Sequence, residues 1–529
     1  MNRHSCLALL ASLVASGAAH AATTEVGPTD DVEAAINALK PGDELVLRGG
    51  TYTLTDRFGI AVSGTAQAPI VVRAKDGEKP HFTRASANQN VVDLDDVNYF
   101  TLRGIEFSGG SHGIRIIKAT FLTIEQCEIH DSGDVALSAN SGGPYQSLKI
   151  LRNHIHNTND TGEGMYLGCN SNACRVFDSL IEGNHVHHTN GATVVQGDGI
   201  ELKEGSYNNI IRDNVIHDTN YPCILTYSTV GNGKQNVIER NLMYNCGDHG
   251  IQSAADAIIR NNIILGSNSD GIACQQHQAG SPSNLVIVHN TVLHPMNNAL
   301  SLSGVTGSVL IANNALYAQS GSAIRASGSL GQVMVLGNVG IGGVSGVTGG
   351  FTQGSLAADF VAANFSGMVP NDVFPKAGSK LIGAGDPAHV TADDFNGTPR
   401  GGVADVGAYK FLASGNPGWP LGPDFKGGVG GGAGTVGSGG SGGQAGGGQG
   451  GSGATGGGSG GAGATGVGGT AGSAGRAGGS PNPAAQPGSE QDGGCGCRFL
   501  RGGTPSESAL LFSCLGLALG WVRRRRASR

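Results

Sequence analysis

One repeat constrains this chain more than any other feature. The unit Ile-x-x-Asn-x-Ile-His occurs as Ile150-Leu-Arg-Asn153-His-Ile155-His156 and returns around Asn184, Asn214 and Asn241. Looser copies place the Asn at Asn262, Asn290, Asn314 and Asn338, and an earlier copy has Cys127 there. From Asn153 onward the spacings are 31, 30, 27, 21, 28, 24 and 24 residues. A period that varies this much does not suit a helical array, in which each repeat must match its neighbour in length. It does suit coils whose turns differ in length while one corner stays fixed.

Within each repeat, Ile and Val alternate with polar residues over short runs, which is strand periodicity. A second short strand follows a Gly in several repeats, as in Asp198-Gly-Ile-Glu-Leu202, His249-Gly-Ile251 and Asp270-Gly-Ile272. Short strands, variable turns and one fixed Asn describe successive coils of a β-solenoid. The expected fold is all-β, a right-handed single-stranded parallel β-helix over about residues 25–412. Asn side chains stacked at the corner would hydrogen-bond along the ladder, and inward Ile, Leu and Val would fill a narrow dry core. Asp31 to Leu39 reads as a short amphipathic helix covering the open end.

The rest of the 529 residues falls outside that fold. Arg3 and His4, an apolar stretch from Leu7 to Val14 and the small residues through Ala21 have the layout of a secretory signal peptide, assigned to residues 1–21. Residues 426–488 are almost wholly Gly, Ser, Ala, Thr and Gln, too poor in apolar surface to offset ordering entropy, and read as a linker. Residues 495–529 hold Cys495-Gly-Cys497, an apolar run from Ser508 to Val522 and Arg523–Arg526. This order resembles the myxobacterial C-terminal sorting tag. The resemblance implies contact with membrane or sorting machinery and display at the outer-membrane surface; a transmembrane anchor is the alternative reading.

Net charge is −7 and 14% of residues are charged, so there is no basic field for nucleic acid. The domain is expected to act as a monomer. In an oxidising compartment Cys169 and Cys174 can close a small loop, whereas Cys127, Cys223, Cys246 and Cys274 are expected to pack as small apolar side chains. Zinc spacing of Cys is absent from the sequence. His130, His156, His187 and His217, continued by Tyr244, should share one outward column. Stacking of planar rings is the preferred account of that column, with a metal ladder as the alternative.

Aligning the second strands on inward Met165, Ile200, Ile224, Ile251 and Ile272 stacks the outward residues into two columns. One reads Tyr166, Glu201, Leu225, Gln252, Ala273, and the other Gly168, Lys203, Tyr227, Ala254, Gln275. Asp160, Glu163, Asp198, Asp248, His249 and Asp270 lie near the strand starts. Acidic groups beside one Lys and one Tyr suit β-elimination on a uronic-acid polymer. There the substrate carboxylate must be neutralised and the weakly acidic neighbouring proton removed. Clustered carboxylates can hold Ca²⁺, and a desolvated Lys can act as base.

Two segments, Gly42–Tyr52 and Gly64–Ala74, look like the opening coils of bacterial β-helix polysaccharide lyases of the pectin-lyase-like fold. Pro399-Arg400 to Tyr409 resembles their closing strand. Gly162-Glu163 to Gly168, followed by Gly197-Asp198 to Lys203, resembles the paired motifs of the alginate lyase and chondroitinase B family. That resemblance implies a polysaccharide lyase in which Lys203 is the base and Asp160, Glu163 and Asp198 bind calcium. The family's Arg, one coil further on, is replaced here by Tyr227, which becomes the candidate acid. His249 is a further catalytic or sugar-binding candidate, and Tyr166, Glu201, Gln252 and Gln275 are candidates to contact an acidic polysaccharide. Two alternatives stay open: a glycoside hydrolase or uronate epimerase using Glu163, Asp198 and Asp248, and a non-enzymatic carbohydrate-binding or adhesive surface protein.

Overall fold

A computed structural model of the chain describes residues 21–278 and 280–427. Apart from Ala21, the expected signal peptide lies outside the described residues, as does the tail. Among the described residues no helix is long and apolar enough to cross a membrane.

The chain forms a right-handed parallel β-helix of about 11 turns. Its parallel strands run from Thr23–Val26 to Phe351–Gln353. The alternation in sequence becomes three inward columns. Ile124, Ile150, Ile181, Ile211, Ile238, Ile259, Ile287 and Ile311 form one of them. Ile129, Ile155, Val186, Ile216, Met243 and Ile264 form a second. Leu137, Met165, Ile200, Ile224, Ile251 and Ile272 form the third. These side chains are buried in one continuous core. Each is worth roughly 1.5–3 kcal/mol of transfer free energy, which explains why the register is held although the turns vary.

The Asn corner is built as the repeat implies. Each Asn Oδ1 accepts from the backbone N and the Nδ2 of the Asn one coil earlier, from Asn153–Asn184 through to Asn314–Asn338, at 2.9–3.1 Å. Its own Nδ2 also reaches a core-strand carbonyl, as from Asn184 to Ile150 O at 2.9 Å. Cys127 heads the ladder and donates its backbone N to Asn153 Oδ1 at 3.0 Å, so no amide is needed there. The residue before each Asn takes positive φ, from Gln126 and Arg152 to Asn313 and Gly337, which makes the bend that turns one strand into the next.

After the corner, His130, His156, His187, His217 and Tyr244 stack with centroids 4.5–5.1 Å apart. Burial, and next the neighbouring His217, push the pKa of His185, which lies beside this stack, down to about 2.

The amphipathic helix is Val32–Asn37. Asp31 caps its N-terminus, Val32 and Ile36 are buried in the core, and Glu33 accepts from Gly59 N at 3.0 Å.

Three expectations are corrected. Pro399 to Tyr409 is not a closing strand. It packs against the side of the coils, where buried Arg400 bonds Asn261 Oδ1 at 3.1 Å and Ala408 N donates to Thr291 Oγ1 at 2.8 Å. Its backbone hydrogen bonds are scattered over several segments, Gly407 N to Asn313 O, Val406 N to Leu381 O and Gly385 N to Ala404 O, so no ladder forms. Residues 356–427 as a whole cover an apolar strip that includes Val215, Leu242, Ile263 and Tyr317. Lys426, assigned to the linker, instead packs on the domain, donating to Asp213 Oδ1 at 2.7 Å and lying over the Phe395 ring, and the segment from residue 428 on lies outside the described residues. Among the described residues the bridges are Cys169–Cys174, as expected, and Cys223–Cys246, which was not; Cys127 and Cys274 are free and buried. Cys223 and Cys246 belong to different strands of consecutive coils, a proximity that the solenoid path creates.

Candidate functional site

The site lies on the sheet made by strands Met165–Leu167, Ile200–Leu202, Ile224–Thr226 and Ile251–Ser253. Their register stacks Tyr166, Glu201, Leu225 and Gln252 in one outward column, as the alignment requires. Lys203 N donates to Leu167 O and Tyr227 N to Leu202 O, which continues the pleat by one residue and sets Lys203 and Tyr227 in adjacent coils. Gly164 and Gly199 open these strands because the chain passes close to the next coil. A Cβ on Gly199 would stand 2.5 Å from Cys223 O, and one on Gly164 2.6 Å from Gly199 O.

Lys203, Glu201 and Tyr227 form a closed triangle. Lys203 Nζ donates to Glu201 Oε1 at 2.9 Å and to the Tyr227 hydroxyl at 3.2 Å, and Tyr227 donates to the same Glu201 oxygen at 2.9 Å. Lys203 Nζ also lies 4.3 Å from the Tyr227 ring centroid and 5.2 Å from that of Tyr166. Lys203 is 3% exposed, Glu201 and Tyr227 2% each. A solvated surface Lys and a weak exposed ion pair are thereby ruled out for this position. Burial, and then the Glu201 charge, raise the Tyr227 hydroxyl far above its ordinary pKa, so it is a proton donor here.

Beside the triangle, one oxygen each of Glu163, Asp198 and Glu201 lies within 4.8 Å of the other two. All three side chains are buried. Glu163 Oε1, Asp198 Oδ1 and Glu201 Oε2 lack any hydrogen-bond partner among the described residues. Burial, and next the charge of Glu201, push the Glu163 pKa up to about 7, and the same two causes raise Asp198 well above the usual carboxylate range. One ammonium thus faces three acids in a dry setting. Such a group takes up protons or binds a cation. Converging carboxylate oxygens without donors are the ligand type a hard divalent cation prefers.

The other expected residues separate. Asp160 sits in a positive-φ turn, is exposed and stands outside this cluster. Glu201 occupies the third carboxylate position instead. Buried His249 accepts from Asp270 N at 3.1 Å, with Asp248 Oδ1 3.6 Å away, and makes no hydrogen bond to the triangle. Gln252 is buried one coil beyond Leu225, and Gln275 is half-buried further along the other column. Tyr166 donates to Asn170 Oδ1 at 3.2 Å. Two supporting groups went unread in the sequence. The Thr161 hydroxyl lies 2.7 Å from Glu163 Oε2 and 2.5 Å from Asp134 Oδ1. His277 stacks on Tyr227 at 5.0 Å from a later loop, and no motif marks it.

Two family models match the chain. Residues 12–179 match "Pel9A-like, right handed beta helix region", and residues 195–316 match "Right handed beta helix region". A curated relative, pectate lyase PEL9 of Emericella nidulans, is 28% identical over 211 residues, covering 37% of this chain and 44% of its own length. The chain therefore spans less than half of that relative. Among solved structures, pectate lyase Pel9A superposes with a TM-score of 0.44 at 17% identity, over 74% of this chain and 97% of that one. An alginate lyase from Paenibacillus sp. str. FPU-7 gives 0.36 at 19% identity, over 63% and 98%.

Proposed function

We propose that the chain is an extracellular polysaccharide lyase that cleaves a uronic-acid polymer by β-elimination. The observation that carries this reading is one amine and one phenol hydrogen-bonded to the same carboxylate, beside two further converging acids. The relative named pectate lyase PEL9 supports the reaction class, and the two disulfides suit an oxidising compartment.

In such a reaction the proton next to the uronate carboxylate leaves, the bond to the glycosidic oxygen breaks, and that oxygen gains a proton. Lys203 Nζ is the group to take the first proton once it has shed its own, and Glu201 Oε1 at 2.9 Å is the acceptor in reach. The Tyr227 hydroxyl, 3.2 Å from Lys203 Nζ, delivers the second proton to the leaving oxygen. Glu163, Asp198 and Glu201 would hold Ca²⁺, which when bound supplies positive charge for the substrate carboxylate. Asp160 has no part in that set.

The low exposure of Lys203 and Tyr227 favours a second reading. In it the triangle only stiffens the sheet of a non-enzymatic carbohydrate-binding surface protein. Incubation with a panel of acidic polysaccharides separates the two, read as ultraviolet absorbance of the unsaturated product. Activity lost with chelator and in Lys203→Ala supports the lyase. Binding without any absorbance rise on every polymer would leave the second reading.

A further inference from the structure

The imidazole strip carries a feature that ring stacking does not require. In the outer column the His156 and His187 rings are parallel to within 3°, as are His187 and His217. His154 and His185 form a second column beside it, with centroids 5.1 Å apart. Their rings turn diagonally toward the next coil, tilted 42° to His187 and 38° to His217. As a result His154 Nε2 lies 2.8 Å from His187 Nε2, and His185 Nε2 lies 2.9 Å from His217 Nε2. One nitrogen each of His154, His185 and His187 falls within 4.8 Å of the other two. Glu128 Oε1 stands 3.6 Å from His154 Nδ1 and 3.2 Å from His156 Nε2, a negative charge at the far side of the first ring. The Phe425 ring meets His154 and His185 edge-on and helps to exclude water.

We propose that His154, His185 and His187 form a binding site for a borderline divalent transition metal such as Zn²⁺, with a water in the fourth position. Zn–N bonds of about 2.0–2.1 Å in a tetrahedron set nitrogen pairs about 3.3 Å apart, within about half an ångström of the gap between His154 and His187. The carboxylate placed behind His154 is the kind of outer partner that orients a metal-bound imidazole. This site sits on a different strand series from Lys203 and has nitrogen donors, so it discriminates against Ca²⁺, which takes oxygen ligands. The ion would join two consecutive coils beneath the Phe425 ring.

Equilibrium dialysis of the full chain against Zn²⁺, with excess Ca²⁺ present, tests this directly. One Zn²⁺ per chain is expected, with affinity falling about tenfold or more in His187→Gln and His185→Gln and unchanged in Asp198→Asn. Cu²⁺ bound in place of Zn²⁺ should show nitrogen hyperfine coupling from three imidazoles. If the histidine variants fold poorly, the wild-type chain still decides the matter. Zn²⁺ should then protect His154, His185 and His187 from acylation by diethylpyrocarbonate. Four results would each overturn the site: no Zn²⁺ retained, no protection, loss of Zn²⁺ in Asp198→Asn, or release only on alkylation of the thiols.

Discussion

Lys203 Nζ sits 2.9 Å from Glu201 Oε1 with both side chains almost wholly buried, while Oε2 of the same Glu201 has no donor. A pair in this setting is costly to break from one side, because the remaining charge stays out of water. Lys203→Met should destabilise the fold by about 3–5 kcal/mol. Adding Glu201→Gln should recover most of that loss, since the orphaned charge is then gone. Urea denaturation of the single and double variants measures both. A loss below about 1 kcal/mol for Lys203→Met would mean that the pair is screened as a surface pair is.

Glu163 makes stability depend on pH. Its pKa is raised from 4.5 to about 7, so the folded chain holds a proton that the unfolded chain releases. That preference is fully present below about pH 4.5 and is lost as pH rises through about 7, lowering stability by about 3 kcal/mol. In chelator, the melting temperature should therefore fall between about pH 5 and pH 8. Ca²⁺ at the upper end should restore it, and Glu163→Gln should flatten the profile. A flat profile in the wild-type chain would place Glu163 in contact with water.

Within the Asn ladder, Asn214 serves both neighbours. Its Oδ1 accepts from Asn184 N and Nδ2, and its Nδ2 reaches Ile181 O and Asn241 Oδ1. Asn214→Ala leaves several buried groups unpaired and should cost about 3–5 kcal/mol. Cys127→Ala, at the head where no amide is used, should cost about 1 kcal/mol. Thermal and chemical unfolding of the two variants gives the comparison.

The bridge Cys223–Cys246 closes a loop of sequence separation 23. Its removal in Cys223→Ala with Cys246→Ala should lower stability by about 3 kcal/mol through the unfolded chain. Peptide mapping without reduction should recover Cys223 joined to Cys246 and Cys169 to Cys174, with Cys127 and Cys274 alkylated only after unfolding.

Much of the site was legible because parallel coils translate one strand onto the next. Once Met165, Ile200 and Ile224 are recognised as inward, Tyr166, Glu201 and Leu225 must stack, and the structure keeps that register. The pattern could not say which carboxylates meet. Asp160 and Glu163 are three residues apart, yet only Glu163 reaches Asp198, since Asp160 sits in a positive-φ turn with its side chain exposed. Nor does a strand pattern show loops that return from later coils, which is why His277 against Tyr227 was invisible in it.

The sequence by itself determined the solenoid, its Asn corner, the inward columns and the strand that carries Lys203, because each follows from the period-two pattern and its repetition. Tertiary structure decided the closure of Lys203 onto Glu201 and Tyr227, the replacement of Asp160 by Glu201, the Cys223–Cys246 bridge and the cover formed by residues 356–427. The division has one physical cause. Strand register is dictated by burial of one face, repeated coil after coil, whereas side-chain convergence depends on turn lengths and chain returns that no local period encodes.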